Sequence, residues 1–426
     1  MGKVLVIGAG KTGLATAWFL NRKGIGVVLT DKQNVAAEKL AAMENAGVKI
    51  CLPDYPLIKP SDYSLVVVSP GVPLDIPPVV QAKNLNIPVI SELELAYWYA
   101  LAPIVALTGT NGKTTTTTLV GEICKNAGLN TLVAGNIGLP LITKIENYTA
   151  HDVVVAEVSS FQLETTVFFR PQVAVILNVS PDHLDRHKTL ANYVGAKIKI
   201  FANQKASDFT ILNYDDPYTQ SLAVYSPGKV IFFSRRRILE KGVYTQNDWI
   251  ISNLSGKTEP VLPVKEIQLP GAHNLENVLA AAASALVLGI EPLKIAKTLR
   301  LFKGVAHRLE FVAEINGVRY INDSKGTNPE ASIRALEAFT TPIILLAGGK
   351  NKGNSFTALA QKIKEKVRVL ITLGECAGEL EEEAKQAGVT NVVRTQDLRQ
   401  AVLSACQLAQ PGEVVLLSPA CASWDM

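Results

Sequence analysis

A chain of 426 residues is longer than one hydrophobic core comfortably organises, so two or three domains are expected. With 48% hydrophobic and 19% charged residues it lacks a disordered signature, and a net charge of +4 gives little reason to expect a polyanion partner. The five cysteines are scattered, none in a Cys-x-x-Cys pair, which suggests neither a disulfide framework nor a zinc site. The N-terminal apolar run, Val4 to Ile7, is too short for a signal peptide. The longest apolar stretch, Val278 to Ile290, falls short of the roughly 20 residues that span a bilayer. A soluble, cytoplasmic protein with no membrane or nucleic-acid partner, acting as a monomer, is expected. Arg235-Arg236-Arg237 follows an apolar run and reads as a solvated strand end.

Short apolar runs alternate with longer amphipathic stretches, the rhythm of parallel sheets covered by helices. The expected fold class is α/β: three domains, each a mainly parallel sheet with flanking helices, Rossmann-like at both ends and P-loop ATPase-like in the centre. Residues 1–92, 93–300 and 301–426 are their expected extents. Strands are predicted at Lys3–Ile7, Gly26–Thr30 and Leu65–Ser69, and Ser91-Glu92-Leu93-Glu94 reads as a capping box opening a bridging helix. Pro103–Leu107 opens the second domain, followed by strands at Thr131–Ala134, Val153–Val158, Val173–Asn178 and Phe209–Asn213. An alanine-rich helix over Asn274–Leu288 should pack on that sheet. The pattern restarts near Leu301, with strands at Arg319–Asn322, Ile343–Ala347, Val369–Leu373 and Val414–Ser418.

Two glycine loops follow strands. Gly8-Ala9-Gly10-Lys11-Thr12-Gly13 is a complete G-x-G-x-x-G, and Asp31 ends the next strand where a ribose-binding acid belongs. Alone it reads as a dinucleotide site, which would make the chain an oxidoreductase, or as a turn packing helix on strand. The second loop, Thr108 to Thr115, ends in Gly112-Lys113-Thr114, with Lys113 placed for phosphates and Thr114 for Mg²⁺. Leu107 stands where the strict P-loop spacing needs glycine. Glu157, at the end of an apolar strand, is either a helix cap or a metal ligand. His183 and His187 have helical i, i+4 spacing, but Leu184 occupies the place of a zinc protease's glutamate. Lys197 reads as an ordinary surface-helix lysine.

Gly109-Thr110-Asn111-Gly112-Lys113-Thr114 resembles the ATP loop shared by Mur ligases and folylpolyglutamate synthetases, which make amide bonds by phosphorylating a carboxylate. The resemblance continues along nearly the whole chain. It implies ATP binding by Gly109 through Thr115, with Asn277 at adenine, Arg308 at the phosphates and Asp323 at the ribose. It implies two Mg²⁺ ions held by Thr114, Glu157, His183 and Lys197, the lysine carrying a CO₂-derived carbamate. Lys199 competes for that assignment. Lys113, His183, Lys197 and Lys325 are the implied catalytic residues. Asn322-Asp323-Ser324-Lys325-Gly326-Thr327-Asn328-Pro329 resembles the branch that adds D-glutamate to UDP-N-acetylmuramoyl-L-alanine. Thr327, Lys352 and Ser418 would hold the D-glutamate carboxylates. Thr12, Asp31, Lys32, Ser69, Pro70, Gly71 and Asn136 would hold the UDP-sugar. Members of the resembling family usually continue past Trp424-Asp425-Met426 through a further helix, so a truncated or short-tailed member is expected.

Overall fold

The computed structural model describes residues 2–422 apart from positions 34, 36, 60, 255 and 352, and only the backbone of residues 37–39. Three α/β domains follow one another along the chain. In the first, β1 (Lys3–Ile7), β2 (Val27–Thr30), β3 (Lys49–Cys51), β4 (Tyr63–Val68) and β5 (Val89–Ser91) form a parallel sheet ordered β3-β2-β1-β4-β5. Leu5, Val66 and their neighbours are buried on both faces, so these strands read as unbroken apolar runs. The order reverses at β1, with β2 on one side and β4 on the other. The loops after β1 and β4 therefore flank one crevice at the strand ends. Gly13 is needed for packing, since a Cβ there would stand 1.6 Å from the Gly8 carbonyl oxygen.

Helix Glu92–Trp98 leads out of this sheet, with the Ser91 hydroxyl accepting from the Glu94 N–H. The expected reciprocal half of the cap is absent. The Glu94 carboxylate turns away to accept hydrogen bonds from the Val167, Phe168 and Phe169 N–H groups, each at 2.9 Å, and from the Trp98 indole.

The central sheet contains β6 (Ile104–Thr108), β7 (Thr131–Gly135), β8 (Val153–Glu157), β9 (Val173–Ile176), β10 (Phe209–Asn213), β11 (Lys229–Ser234), β12 (Gly242–Gln246), β13 (Trp249–Asn253) and β14 (Glu259–Pro263). Its order is β14-β13-β12-β11-β10-β9-β6-β8-β7, parallel from β7 to β12 and antiparallel beyond. Again the order reverses at β6, which lies between β8 and β9. Helices Lys113–Asn126 and Ala272–Val287 share one apolar layer with this sheet, and Ala280 through Ala283 are fully buried because small side chains permit close approach.

The third sheet has the order β15-β16-β20-β17-β18-β19. Its strands are β15 (Glu310–Ile315), β16 (Val318–Asn322), β17 (Ile343–Gly348), β18 (Val367–Leu373), β19 (Val392–Arg394) and β20 (Val414–Ala420), and only β15 runs antiparallel to its neighbour. The predicted strands are all present, Lys3–Ile7 and Phe209–Asn213 with both ends as expected and the others with ends shifted by at most two residues. Among the described residues no helix is long and apolar enough to cross a membrane.

Candidate active site

The strand β6 delivers its loop to the reversal point of the central sheet. Gly112 begins the following helix at φ +84°, and a Cβ there would lie 2.2 Å from Asn277 Oδ1. Asn178, just beyond β9, grips the loop from behind. Its Oδ1 accepts from the Asn111 N–H at 2.9 Å and its Nδ2 donates to the Asn111 carbonyl at 3.0 Å. Thr110 is held by the Ser180 carbonyl and by the Tyr193 hydroxyl, 3.0 and 3.2 Å away. Lys113 Nζ donates to the Gly109 and Thr110 carbonyls at 2.9 and 2.8 Å. The result is a braced turn opening a long helix, the setting in which backbone N–H groups collect phosphate oxygens.

Glu157, at the end of β8, is 2% exposed. Its Oε1 accepts from Asn136 Nδ2 at 2.9 Å, and its Oε2 is buried with no hydrogen-bond partner. Gly135 makes that contact possible, since at φ +107° a Cβ would meet the Glu157 carbonyl oxygen at 2.3 Å. Thr114, Glu157, Asp182 and His183 line the same cleft, so an orphaned carboxylate oxygen, a hydroxyl and an imidazole face one space. Among the described residues no three His, Cys, Asp or Glu side chains stand close enough together to hold a metal ion by themselves, so a hard divalent cation here would take part of its shell from phosphate oxygens and water. His183 caps the short helix Leu184–His187 from the left-handed region, its Nε2 lying 3.6 Å from Asp182 Oδ2. His187 faces away, bonded to the Ser160 hydroxyl at 3.0 Å, and burial lowers its pKa.

Lys197 is a correction to the surface reading of the bare sequence. It is 1% exposed, with Nζ 2.9 Å from the Gly109 carbonyl and 4.4 Å from the centre of the Tyr193 ring. Burial, reinforced by the Lys113 charge, pulls its pKa well below the lysine range. Lys199 turns instead to the Glu164 carbonyl at 2.6 Å, so Lys197 alone of the two reaches the loop.

The third domain supplies the opposite wall. Arg308, Ser324, Lys325, Thr327 and Asn328 line the cleft that holds Lys113 and Glu157. Arg308 and Asp323 also line a small adjoining cavity with Asn111, Thr115, Asn274 and Asn277. Burial raises the Asp323 pKa although Arg308 opposes the shift. Its oxygens accept from the Leu309 N–H at 3.2 Å and the Ser418 hydroxyl at 2.8 Å. Ser418 is fully buried, bonded also to Ser332, and does not line the cleft. It orients Asp323 from behind. Lys352 lies outside the described residues.

In the first domain Asp31 ties its own loop to the glycine loop, accepting from the Gln33 N–H at 3.0 Å and the Ala9 N–H at 2.7 Å. Ser69 Oγ donates to the Gly8 carbonyl at 3.2 Å, which brings the Gly8–Gly13 and Ser69–Gly71 loops side by side. Thr12 and Pro70 are half-buried there, and Lys32 and Gly71 are exposed. Lys11 reaches across to the Gly138 carbonyl of the loop carrying Asn136.

Family models match the chain in all three parts: the Mur ligase MurD-like N-terminal domain over residues 2–91, the Mur ligase middle domain over 107–285, and the Mur ligase glutamate ligase domain over 307–421. The chain belongs to the Mur ligase family. It is 57% identical to the UDP-N-acetylmuramoylalanine–D-glutamate ligase of Pelotomaculum thermopropionicum, covering 100% of this chain and 94% of that one. The same enzyme of Alkaliphilus metalliredigens is 48% identical with the same coverage. Similar solved Mur ligase structures include MurF of Acinetobacter baumannii, with TM-score 0.64, 18% identity and coverage of 98% and 90%. MurF of Thermotoga maritima, in complex with ADP, gives TM-score 0.62 at 17% identity, covering 92% of this chain and 91% of that one. At such identities the likeness concerns the fold.

Within this Mur ligase Asn178, Tyr193 and His273 contribute to the site although no motif marks them. Asn178 and Tyr193 brace the phosphate loop, and His273 lines the smaller cavity with Arg334. Burial and the charges of Arg334 and Arg308 hold the His273 imidazole down to about 3, so it is neutral. Tyr193 stands four residues before Lys197, one helical turn, and that spacing was the available signal.

Proposed function

We propose that this chain is an ATP-dependent ligase joining D-glutamate to UDP-N-acetylmuramoyl-L-alanine. It works in the cytoplasm as a monomer, with domains dividing near residues 92 and 300. The observation that carries this reading is the single cleft in which Lys113, the orphaned Glu157 oxygen, Arg308 and Lys325 converge on a braced phosphate loop. The names of the relatives support the choice of substrates.

ATP lies along the cleft, its phosphates over the N-terminus of helix Lys113–Asn126 and its adenosine toward Asn277 and Asp323. The terminal carboxylate of the UDP-sugar attacks the γ-phosphorus, ADP leaves, and an acyl phosphate forms. The uncharged amine of D-glutamate attacks that carbonyl, and the tetrahedral adduct collapses with loss of phosphate. Lys113, Arg308 and Lys325 offset the negative charge as it moves between oxygens. Thr114, Glu157 and His183 would hold Mg²⁺, two ions in all, which supplies charge neutralisation at the phosphates when bound. Lys197, whose pKa burial pulls well below the lysine range, is the amine that would take up CO₂ as a carbamate and so add an oxygen donor to that set.

At the far end, Thr12, Asp31, Lys32, Ser69, Pro70 and Gly71 receive the UDP group, and Asn136 lies between it and the reacting carboxylate. Thr327 and Lys352 receive the D-glutamate carboxylates, while Ser418 acts through Asp323.

Phosphate release from ATP and Mg²⁺ with UDP-N-acetylmuramoyl-L-alanine, scanned over D- and L-amino acids, tests the reading. Release dependent on D-glutamate alone is expected; release with another amino acid, or with none, would overturn it. ¹³C-labelled bicarbonate should give a carbamate resonance that Lys197→Arg abolishes.

A further inference from the structure

Asn328 sits at the N-terminus of the third-domain helix Pro329–Glu337 and is 6% exposed. Both ends of its side-chain amide are engaged. The Oδ1 accepts from the Ala331 N–H at 2.8 Å, capping the helix. That bond fixes the orientation of the amide, so its NH₂ points the other way, out of the third domain. There Nδ2 donates to Asn111 Oδ1 and to Asp182 Oδ2, each at 3.3 Å, across 217 and 146 positions of sequence. Asn111 belongs to the phosphate loop. Asp182 precedes His183 and accepts its N–H at 2.9 Å through Oδ1.

A helix cap does not demand asparagine, since aspartate, serine and threonine cap as well. The opposite end does demand it. Two acceptors, one of them a carboxylate oxygen, must be met by a side chain that already spends an oxygen on its own helix, and the carboxamide supplies both functions at once. A buried carboxylate left without its donor is costly, so the contact favours the arrangement in which the two domains are apposed.

We propose that Asn328 is a positioning residue that latches the third domain onto the phosphate loop and the His183 segment, so that domain closure sets both in place. The latch is geometric, and only its kinetic consequence rests on the ligase reading above.

A swap of partners tests it in the full chain. Asn328→Asp retains the capping oxygen but turns a carboxylate toward Asp182 and Asn111 Oδ1. Asp182→Asn retains the acceptor for the His183 N–H but turns an NH₂ toward the NH₂ of Asn328. Each single variant should lose roughly tenfold or more in kcat/KM. Each should also show a larger radius of gyration by X-ray scattering in the presence of ADP and Mg²⁺. The double variant recreates the contact with position 182 in reverse, and the Asn111 amide, whose Nδ2 has no partner, can turn toward the new carboxylate, so this variant should return to the parent's radius and recover part of the lost kcat/KM. The melting temperature of Asn328→Asp should stay above that of Asn328→Ala, which loses the cap as well.

A purely local cap predicts no loss for Asn328→Asp and no recovery in the double variant, and either result would overturn the latch. If the parent chain shows no D-glutamate-dependent turnover, the ligase reading fails, and the scattering comparison still decides the latch.

Discussion

A buried carboxylate is costly to keep charged unless something answers it, and Glu92 and Glu157 meet that cost in different ways. Glu92 is 1% exposed, with Oε1 accepting from the Ile142 N–H at 2.7 Å and Oε2 unpartnered. Burial pushes its carboxyl up from 4.5 to about 7. Folding therefore takes up a proton between those values, and the stability this group confers is lost as pH rises from about 4.5 through about 7, by up to roughly 3 kcal/mol. Glu92→Gln should raise the melting temperature at pH 8 and leave it nearly unchanged at pH 5; an equal shift at both would refute the assignment. Glu157 lines the cleft instead, and its buried Oε2 has no partner among the protein's groups. Glu157→Gln should raise the Mg²⁺ concentration needed for nucleotide binding by about tenfold, read by calorimetry across a Mg²⁺ series. At this scale the sequence was only half legible. The glutamate at a strand end was visible as a ligand or a cap. The burial of Lys197 was not, because helical spacing places Tyr193 beside it but carries no sign of the Gly109 carbonyl, 88 positions away in the chain.

Helix Glu92–Trp98 is an element defined by what it grips. Glu94 satisfies three successive backbone N–H groups of the Val167–Phe169 segment, and Glu92 holds the Leu141–Ile142 turn. Glu94→Ala would leave those donors without a partner and should destabilise the chain by roughly 2–4 kcal/mol, measurable as a lower urea midpoint. Retention of the midpoint would show that the helix is a passive connection. The capping-box string located this helix correctly because serine at the cap is a local matter. It misjudged Glu94 because three N–H groups some 73 to 75 positions away compete for the same carboxylate. Strands show the same division. Buried runs such as Val153–Glu157 announce themselves, whereas β3, β5 and β19 have three residues each, too few for a period to register. The edge β12–β14 mixes polar residues such as Thr245, Gln246 and Ser252 into its strands and hid for that reason.

The whole molecule makes its site by apposition. Arg308 lines both adjoining cavities from the third domain, and its Nε is buried without a hydrogen-bond partner. Arg308→Ala should weaken ADP binding by roughly tenfold while leaving the melting temperature of the free chain within about 2 °C, checked by calorimetry and thermal unfolding. Unchanged affinity would place the nucleotide elsewhere. No single-sequence pattern reports which loops face one another across a cleft, so the contact of Asn328 with Asp182 lay beyond reach, although each motif was visible by itself.

Gly135 carries this to its end. The Asn136 N–H donates to the Glu157 carbonyl at 2.8 Å while the Asn136 amide holds the Glu157 carboxylate, and the bare Cα of Gly135 leaves no slack between the two segments. Whatever displaces Asn136 must drag Glu157 with it. Affinity at the two places is thus thermodynamically linked, and linkage is reciprocal. A compound competing for the Asn136 side would alter the apparent affinity for the metal–nucleotide as well, and inhibition by such a compound would be mixed with respect to ATP.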